Sequence, residues 1–323
     1  MTSMRHSWSD YWHSGVKTSF GRDLSANYHG ILRDNWDGFW FQAHHDINVL
    51  DIGCGNGALT ELCFSALTQA DLSCKVTGID YAEIHACEDV RRNSRGESQR
   101  LKLQPAEDFT EFTSVDGKFD WLISQFGFEY VPRTAALLKT AQLLKANGQF
   151  RFVCHYWDSV FIRENSRQLA MNQFVTSIDA VAKLRLLVAA TLTVTTAKQF
   201  AEALNSPQFA EFIKPVRELT ELGSAQFGAN FLSCEFMQCF RFLWSDGFAL
   251  APSKRLEILD QFAASHHADS LRLQSMIAAA FTQKQLVDLP AEFDSVGCIL
   301  QPIEVLRDAS GQQLAIIIAG TLR

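Results

Sequence analysis

From residue 47 the apolar positions of the chain switch repeatedly between two periods. Ile47–Asp51, Lys75–Asp80, Leu101–Gln104, Phe119–Ser124 and Gln149–His155 are short runs rich in Ile, Val, Leu and Phe. Such runs fit strands buried on both faces. Ala58–Leu67, Tyr81–Asn93 and Thr134–Ala146 lie between them with helical spacing, the last carrying leucines at 137, 138, 143 and 144. The alternation predicts βαβ units wound on both sides of a mostly parallel sheet. Residues 156–281 then lose the strand period, and Arg163–Ala190, Thr196–Leu204, Pro207–Leu219, Leu232–Trp244, Ser253–Ala264 and Ala268–Phe281 read as helices. Thr282 with Gln285 forms a capping pattern. Val296–Leu306 and Gln312–Leu322 follow as strands joined at Asp308–Gly311, which predicts an antiparallel hairpin. The expected organisation is an N-terminal cap over 1–45, an α/β core from 46–155 with 282–323, and a helical insertion over 156–281 that covers the substrate as a lid.

The first strand runs into Asp51-Ile52-Gly53-Cys54-Gly55-Asn56-Gly57, with a helix immediately after. Glycines at every second position let the chain turn sharply and let a ligand approach the backbone. The following helix presents free N–H groups and a positive dipole end to the same point. The glycine spacing differs from the dinucleotide pattern GxGxxG. It resembles the first motif of class I S-adenosylmethionine-dependent methyltransferases, in which the acidic residue and the glycines hold the methionine end of the cofactor. The resemblance covers about 46–155 and 282–323. It implies a seven-stranded sheet with an antiparallel last strand, and S-adenosylmethionine as methyl donor, leaving S-adenosylhomocysteine as product.

Further candidate ligands sit at the strand ends. Asp80, with Tyr81 beside it, ends the second strand, where a carboxylate accepts two hydrogen bonds from a ribose diol or caps a helix. Pro105-Ala106-Glu107-Asp108 resembles the family's adenine segment, with proline where Asp is common. That leaves the Ala106 N–H and the Glu107 or Asp108 carboxylate for the adenine edge. In the family the segment after the fourth strand passes the methionine moiety and the methyl group, which here nominates Ser124 and Gln125. The Asn/Asp-Pro-Pro-aromatic signature of many amino-methylating enzymes on bases and on protein glutamine is absent. Phe126, Phe128 and Glu129 take its place. His155, at the end of the fifth strand, is a candidate base or a structural hydrogen-bonding residue. Glu129 either meets the substrate or caps a helix. Tyr156 and Trp157 are candidates for packing on the acceptor.

The N-terminal 45 residues are crowded with aromatics, among them Trp8, Tyr11, Trp12, Phe20, Tyr28, Trp36, Phe39 and Trp40. Ser9 or Asp10 offers a helix cap there, and Trp36, Phe39 and Trp40 share one helical face. The segment either packs as a layer on the sheet or closes over the ligands through Tyr11, Trp12 and Phe20, with Gly15 and Gly21 as hinges.

Composition narrows the function. A net charge of −7 over 323 residues argues against a broad nucleic-acid footprint, which needs clustered Lys and Arg. No N-terminal apolar segment resembles a signal peptide, and no run reaches the length of a membrane span. The eight cysteines form no CxxC pair, which points to free thiols in a reducing cytoplasm. His44-His45 and His266-His267 are adjacent pairs without a completing ligand, so no metal is expected. These readings converge on a cytoplasmic methyltransferase for a small-molecule acceptor. The alternatives are a protein or RNA methyltransferase and a non-catalytic module that binds the cofactor.

Overall fold

The protein is described here by a computed structural model covering residues 2–20, 27–43, 46–93, 100–115, 117–245 and 247–323. It divides into two compact units, Met1–Arg163 with Ser275–Arg323, and Glu164–Gln274.

The first unit is built on strands β1 (Ile47–Ile52), β2 (Cys74–Ile79), β3 (Leu101–Gln104), β4 (Phe119–Gln125), β5 (Leu144–Cys154), β6 (Cys298–Leu300), β7 (Glu304–Arg307) and β8 (Gln313–Leu322). Their order is β3-β2-β1-β4-β5-β8-β6, with β7 also on β8. β1 to β5 pair in parallel, and β8 runs antiparallel to β5, β6 and β7. β6 meets residues 320–322 of β8 and β7 meets 313–317, so the two share one lane of a seven-lane sheet. The single run expected over 296–306 is broken at Pro302, which has no N–H to give a ladder.

Helices cover both faces: α1 (Thr2–His13), α2 (Ile31–Asp34), α3 (Asp37–Trp40), α4 (Ala58–Gln69), α5 (Glu88–Asn93) and α6 (Arg133–Leu143). One core layer joins Val49, Val76 and Ile123 to Trp36, Phe39 and Trp40, and the other joins Leu50, Leu122 and Phe152 to Phe128, Leu289 and Phe293. Adjacent strand residues thus feed opposite layers, as the pleat requires.

Several boundaries move for local reasons. The helix expected over 81–93 shortens to α5, because residues 80–87 bond to other partners. Asp80 accepts the Ala82 N–H at 2.8 Å, and Asn56 accepts the His85 N–H at 2.7 Å and the Cys87 N–H at 3.0 Å. Asn147-Gly148 is an irregularity inside β5 rather than a turn before it. Asn147 has φ 61, and the β4–β5 register shifts beside it. Ser9 and Asp10 lie inside α1, which begins at Thr2, so neither caps it. Trp36 caps the single turn α3, and Phe39 and Trp40 lie within it, so the three share one short turn rather than a longer helix.

The remaining helices are α7 (Val160–Ser177), α8 (Ala180–Ala190), α9 (Ala197–Leu204), α10 (Pro207–Phe227), α11 (Ala229–Leu232), α12 (Glu235–Ser245), α13 (Pro252–Ala279) and α14 (Gln283–Ser295). The expected 163–190 helix breaks at Asp179, whose φ is 50, while the two helices expected over 253–281 are one, Ser265-His266-His267 offering no break. The second unit has its own core, including Leu184, Leu187, Phe231, Phe236 and Leu259. The chain is pinned where it leaves β5 and where it returns. Phe281 donates to the His155 carbonyl at 3.0 Å, Trp157 donates to the Phe281 carbonyl at 2.9 Å, and Tyr156 and Phe281 form a parallel bridge.

All eight cysteines are free. No helix among the described residues is long and apolar enough to cross a membrane. No group of three or more His, Cys, Asp or Glu among them is placed to hold a metal. His266 contacts the Asn172 carbonyl at 3.2 Å, and His44, His45 and Gly21 lie outside the described residues.

Arg255, only 1% exposed, supplies the second unit with a buried cation that bonds to two carbonyls and to the Thr191 hydroxyl. Its guanidinium donates to the Thr191 carbonyl at 2.9 Å, just past the end of α8, and to the Val194 carbonyl at 3.4 Å. Arg255→Met keeps much of the volume but strands both acceptors. It is expected to cost about 2–3 kcal/mol, the size of charge-assisted bonds lost from a buried site, read as a lower urea midpoint of the helical signal.

Candidate functional site

The glycine loop lies at the carboxyl edge of the sheet. Its shape follows from one close approach. Gly53 has φ 69, and a Cβ there would lie 2.6 Å from the Gly127 Cα; a Cβ on Gly127 would lie 2.6 Å from the Ile52 carbonyl oxygen. The loops after β1 and β4 therefore touch backbone to backbone. Gly55 has φ 52 and lies under the Trp12 indole, which a Cβ would meet at 2.6 Å. Gly57 packs on Val90 and Leu103 and serves the core.

Between these loops opens a cavity of about 1250 Å³, counting the solvent at its mouth. Asp51, Gly53, Cys54, Asp80, Tyr81, Glu107 and Gln125 line it, as do Trp12 and Phe126. Asp51 is buried. Its Oδ2 accepts the Thr60 hydroxyl at 2.6 Å, while its Oδ1 has no partner. Burial pushes its carboxyl up to about 7, opposed by the Thr60 bond and reinforced by the charge of Asp80. Asp80 is pushed up to about 6 by burial, against hydrogen bonds from Ala82 and Gly55. Its two oxygens receive those N–H groups at 2.8 Å each, so the carboxylate is fixed in one plane with lone pairs to spare.

Other expected contacts are committed elsewhere. Asn56 donates to the Trp12 and Val16 carbonyls at 2.9 and 2.7 Å, which fastens the end of α1 across the glycine loop instead of meeting a ligand. The Ala106 N–H, expected at the adenine edge, is spent on the Ala82 carbonyl at 3.0 Å. The Ser124 hydroxyl donates to the Ile52 carbonyl at 2.7 Å and accepts the Phe128 N–H at 2.9 Å, so it splices β1 to β4. Gly55, Asn56, Gly57, Ala106 and Ser124 are thus wall supports, not wall.

Glu129 and His155 also lie outside the cavity lining. Glu129 accepts the His155 N–H at 2.7 Å, and burial raises its carboxyl to about 7. The fully buried His155 ring stacks on Phe126, centroids 4.3 Å apart. Phe128 stacks on Phe152 in the core at 4.0 Å, Tyr156 is buried with its hydroxyl on Gln313, and Trp157 is half exposed. Tyr11 donates to the Thr18 carbonyl at 2.9 Å, and Phe20 packs behind Phe126 at 5.2 Å.

Asp108, the other carboxylate expected at the adenine edge, also lines the cavity, and Arg5, Trp8, Lys17, Ser19, Tyr28 and Tyr130 are further wall residues. Sequence reasoning assigned no site role to these further residues, although the aromatic crowding of the first 45 residues was the signal for two of them, Trp8 and Tyr28. Arg5 lies 5.2 Å from the centre of the Tyr81 ring.

A family model described as "Methyltransferase domain" matches residues 43–203, about half the chain. The chain belongs to the class I S-adenosylmethionine-dependent methyltransferases. It is an enzyme, and its cofactor is S-adenosylmethionine. Among solved structures, the chain is similar to the Burkholderia thailandensis 1,6-didemethyltoxoflavin-N1-methyltransferase with 1,6-didemethyltoxoflavin and S-adenosylhomocysteine bound. The identity is 9%, covering 99% of this chain and 88% of that one, with a TM-score of 0.47. It is similar to the plantazolicin methyltransferase BpumL in complex with SAH at 11% identity, covering 99% and 96%, with a TM-score of 0.43. A putative methyltransferase in complex with the Haloferax volcanii Trm112 methyltransferase activator shows 11% identity, 90% and 91% coverage and a TM-score of 0.39. No curated protein sequence matches the chain.

The wall fits the cofactor chemically. The bare Asp51 Oδ1 supplies an acceptor for a cationic amino group, and the planar Asp80 carboxylate supplies acceptors for a diol. Gly53→Ala is expected to weaken S-adenosylhomocysteine about tenfold or more, since each 1.4 kcal/mol of displaced backbone costs a factor of ten; calorimetric titration is the measurement.

A pH dependence follows from Asp51. An ammonium partner needs the ionised carboxylate, so affinity for S-adenosylhomocysteine should rise with pH through about 7. Stability of the ligand-free protein should move the opposite way. A carboxyl whose folded value is raised favours folding while protonated, and that contribution is lost as pH climbs from its ordinary range through about 7. Titrations and melts between pH 5 and 8 check both signs (a range chosen to bracket the shift), and Asp51→Asn should reduce both slopes, leaving in the melts the part that Asp80 and Glu129, also raised by burial, contribute.

Proposed function

We propose that this enzyme methylates a small molecule in the cytoplasm, with Asp51 and Asp80 as the main polar anchors of the cofactor and Trp12 and Phe126 facing the acceptor. The observation that carries the reading is the clamping of α1 over the glycine loop by Asn56 and Trp12, which covers part of the cavity with aromatic side chains. The net charge of −7 agrees with an acceptor that is not a polyanion. The eight free thiols agree with a reducing compartment.

The bound cofactor supplies a methyl group activated by its sulfonium. The chain supplies alignment and exclusion of water, which together account for large rate factors without a covalent nucleophile. Neither His155 nor Glu129 reaches the wall, so we assign them to positioning. Their hydrogen bond and the His155–Phe126 stack hold the loop after β4 in place, including Phe126 at its unusual φ of 63. The helical insertion enters the chain directly after β5, the strand that ends at the ligand edge, and on that ground we assign it to acceptor selection.

Tritium from methyl-labelled S-adenosylmethionine should pass into the low-molecular-mass fraction of a metabolite extract. Label confined to protein or RNA would transfer the assignment to a macromolecular acceptor, and cofactor binding without any transfer would leave a binding module. Glu129→Gln should lower transfer by no more than about tenfold, within the range below that of a lost general acid–base.

A further inference from the structure

One corner of the cavity carries more hydrogen-bond donors than it has acceptors for. The Trp36 indole N–H donates to Gln125 Oε1 at 2.6 Å. An indole can only donate, so the amide oxygen must face Trp36 and the amide NH2 must face away from it. Among the described residues that nitrogen, on a side chain only 4% exposed, and the buried Ser19 Oγ have no partner in full hydrogen-bond geometry, and both interact with the Tyr28 phenol, itself 6% exposed. Burial holds the phenol proton on well beyond its ordinary range, so Tyr28 is a neutral donor at any working pH. All three residues line the cavity.

The surroundings decide what this corner takes. Phe20 packs against Tyr28 at 6.4 Å and Phe126 at 5.2 Å, and Phe126 against Phe161 at 6.1 Å, so the neighbouring surface is aromatic. The cations on the described wall are engaged elsewhere. Lys17 lies 3.9 Å from Glu61, and Arg5 lies 3.8 Å from Glu83 against the Tyr81 ring. A carboxylate placed among neutral donors in an aromatic corner would be desolvated without a counter-charge, which is costly. A carbonyl or hydroxyl oxygen carries no such cost and satisfies the orphaned donors.

We propose that Ser19, Tyr28 and Gln125 form the acceptor-recognition niche, which binds an uncharged oxygen of a flat molecule held between the aromatic walls. The proposal rests on the small-molecule reading and narrows it to neutral, planar, oxygen-bearing acceptors. Gln125 and Tyr28 set specificity, and Trp36 is a positioning residue that fixes the amide.

The test uses the full chain saturated with S-adenosylhomocysteine and two probes, 2-quinolinone and quinoline, which share a ring system and differ in the carbonyl. Ligand-observed NMR titration should show the wild type preferring 2-quinolinone at least about fivefold, the worth of a neutral hydrogen bond. Tyr28→Phe and Gln125→Met should each reduce that preference towards unity while changing the Kd for S-adenosylhomocysteine less than about twofold. Tyr28→Phe removes only a hydroxyl, which guards against a folding failure in Gln125→Met. No carbonyl preference in the wild type, or a preference unchanged in both variants, overturns the niche. Cofactor affinity falling about tenfold in both variants assigns the corner to the cofactor's carboxylate and also overturns it. Failure of the small-molecule reading is separate and appears as label in macromolecules.

Discussion

The backbones of Gly53 and Gly127 lie so close that a Cβ on either would overlap the other's main chain. β1 and β4 are parallel neighbours, and in a parallel sheet such neighbours normally diverge at their carboxyl ends into loops that carry side chains. Here a glycine stands first in the loop after β1 and second in the loop after β4. The opening between them is consequently bounded by backbone at its base and by side chains only higher up. Ser124 strengthens the joint by bonding to Ile52 and Phe128 at once, and the residues after each glycine are aimed from that fixed base.

A second constraint is burial of charge. Asp51, Asp80 and Glu129 are buried carboxyls, and burial pushes them up to about 7, 6 and 7. Glu129 and Asp80 soften that cost by accepting backbone N–H groups. Asp51 has a single hydroxyl partner and one bare oxygen. A native fold tolerates such an atom where a ligand completes it, and the bare oxygen lies on the cavity wall.

The N-terminal segment shows how a motif residue is redirected by tertiary contact. Asn56 stands between two glycines of the cofactor loop, yet its amide reaches outward to carbonyls at the end of α1 and its oxygen holds the chain after β2. The loop is thereby tied to the cover above it, and Trp12 lies flush on Gly55 because nothing projects from that position.

The α/β order, the glycine loop and the acids at strand ends were legible in the sequence, because each depends on local pattern: apolar runs for buried strands, glycine for positive φ, a carboxylate next to a turn. The sheet's last lane was legible in outline, and Pro302 divided it. What the sequence left open was the fate of individual polar groups. Ala106 and Ser124 sit at the positions the resemblance names, but their donors are consumed by the Ala82 and Ile52 carbonyls, partners about 24 and 72 positions away along the chain. His155 and Phe128 stand at strand and loop ends that face the ligand edge, yet stacking turns them into the core. Ser19 and Tyr28 carry no motif; beside them Phe20 packs on Phe126 and Asn27 bonds to Ala58 and Glu61. Periodicity determines which residues are buried. Which buried donor is left over for a ligand depends on long-range pairing, and only the tertiary structure decided that.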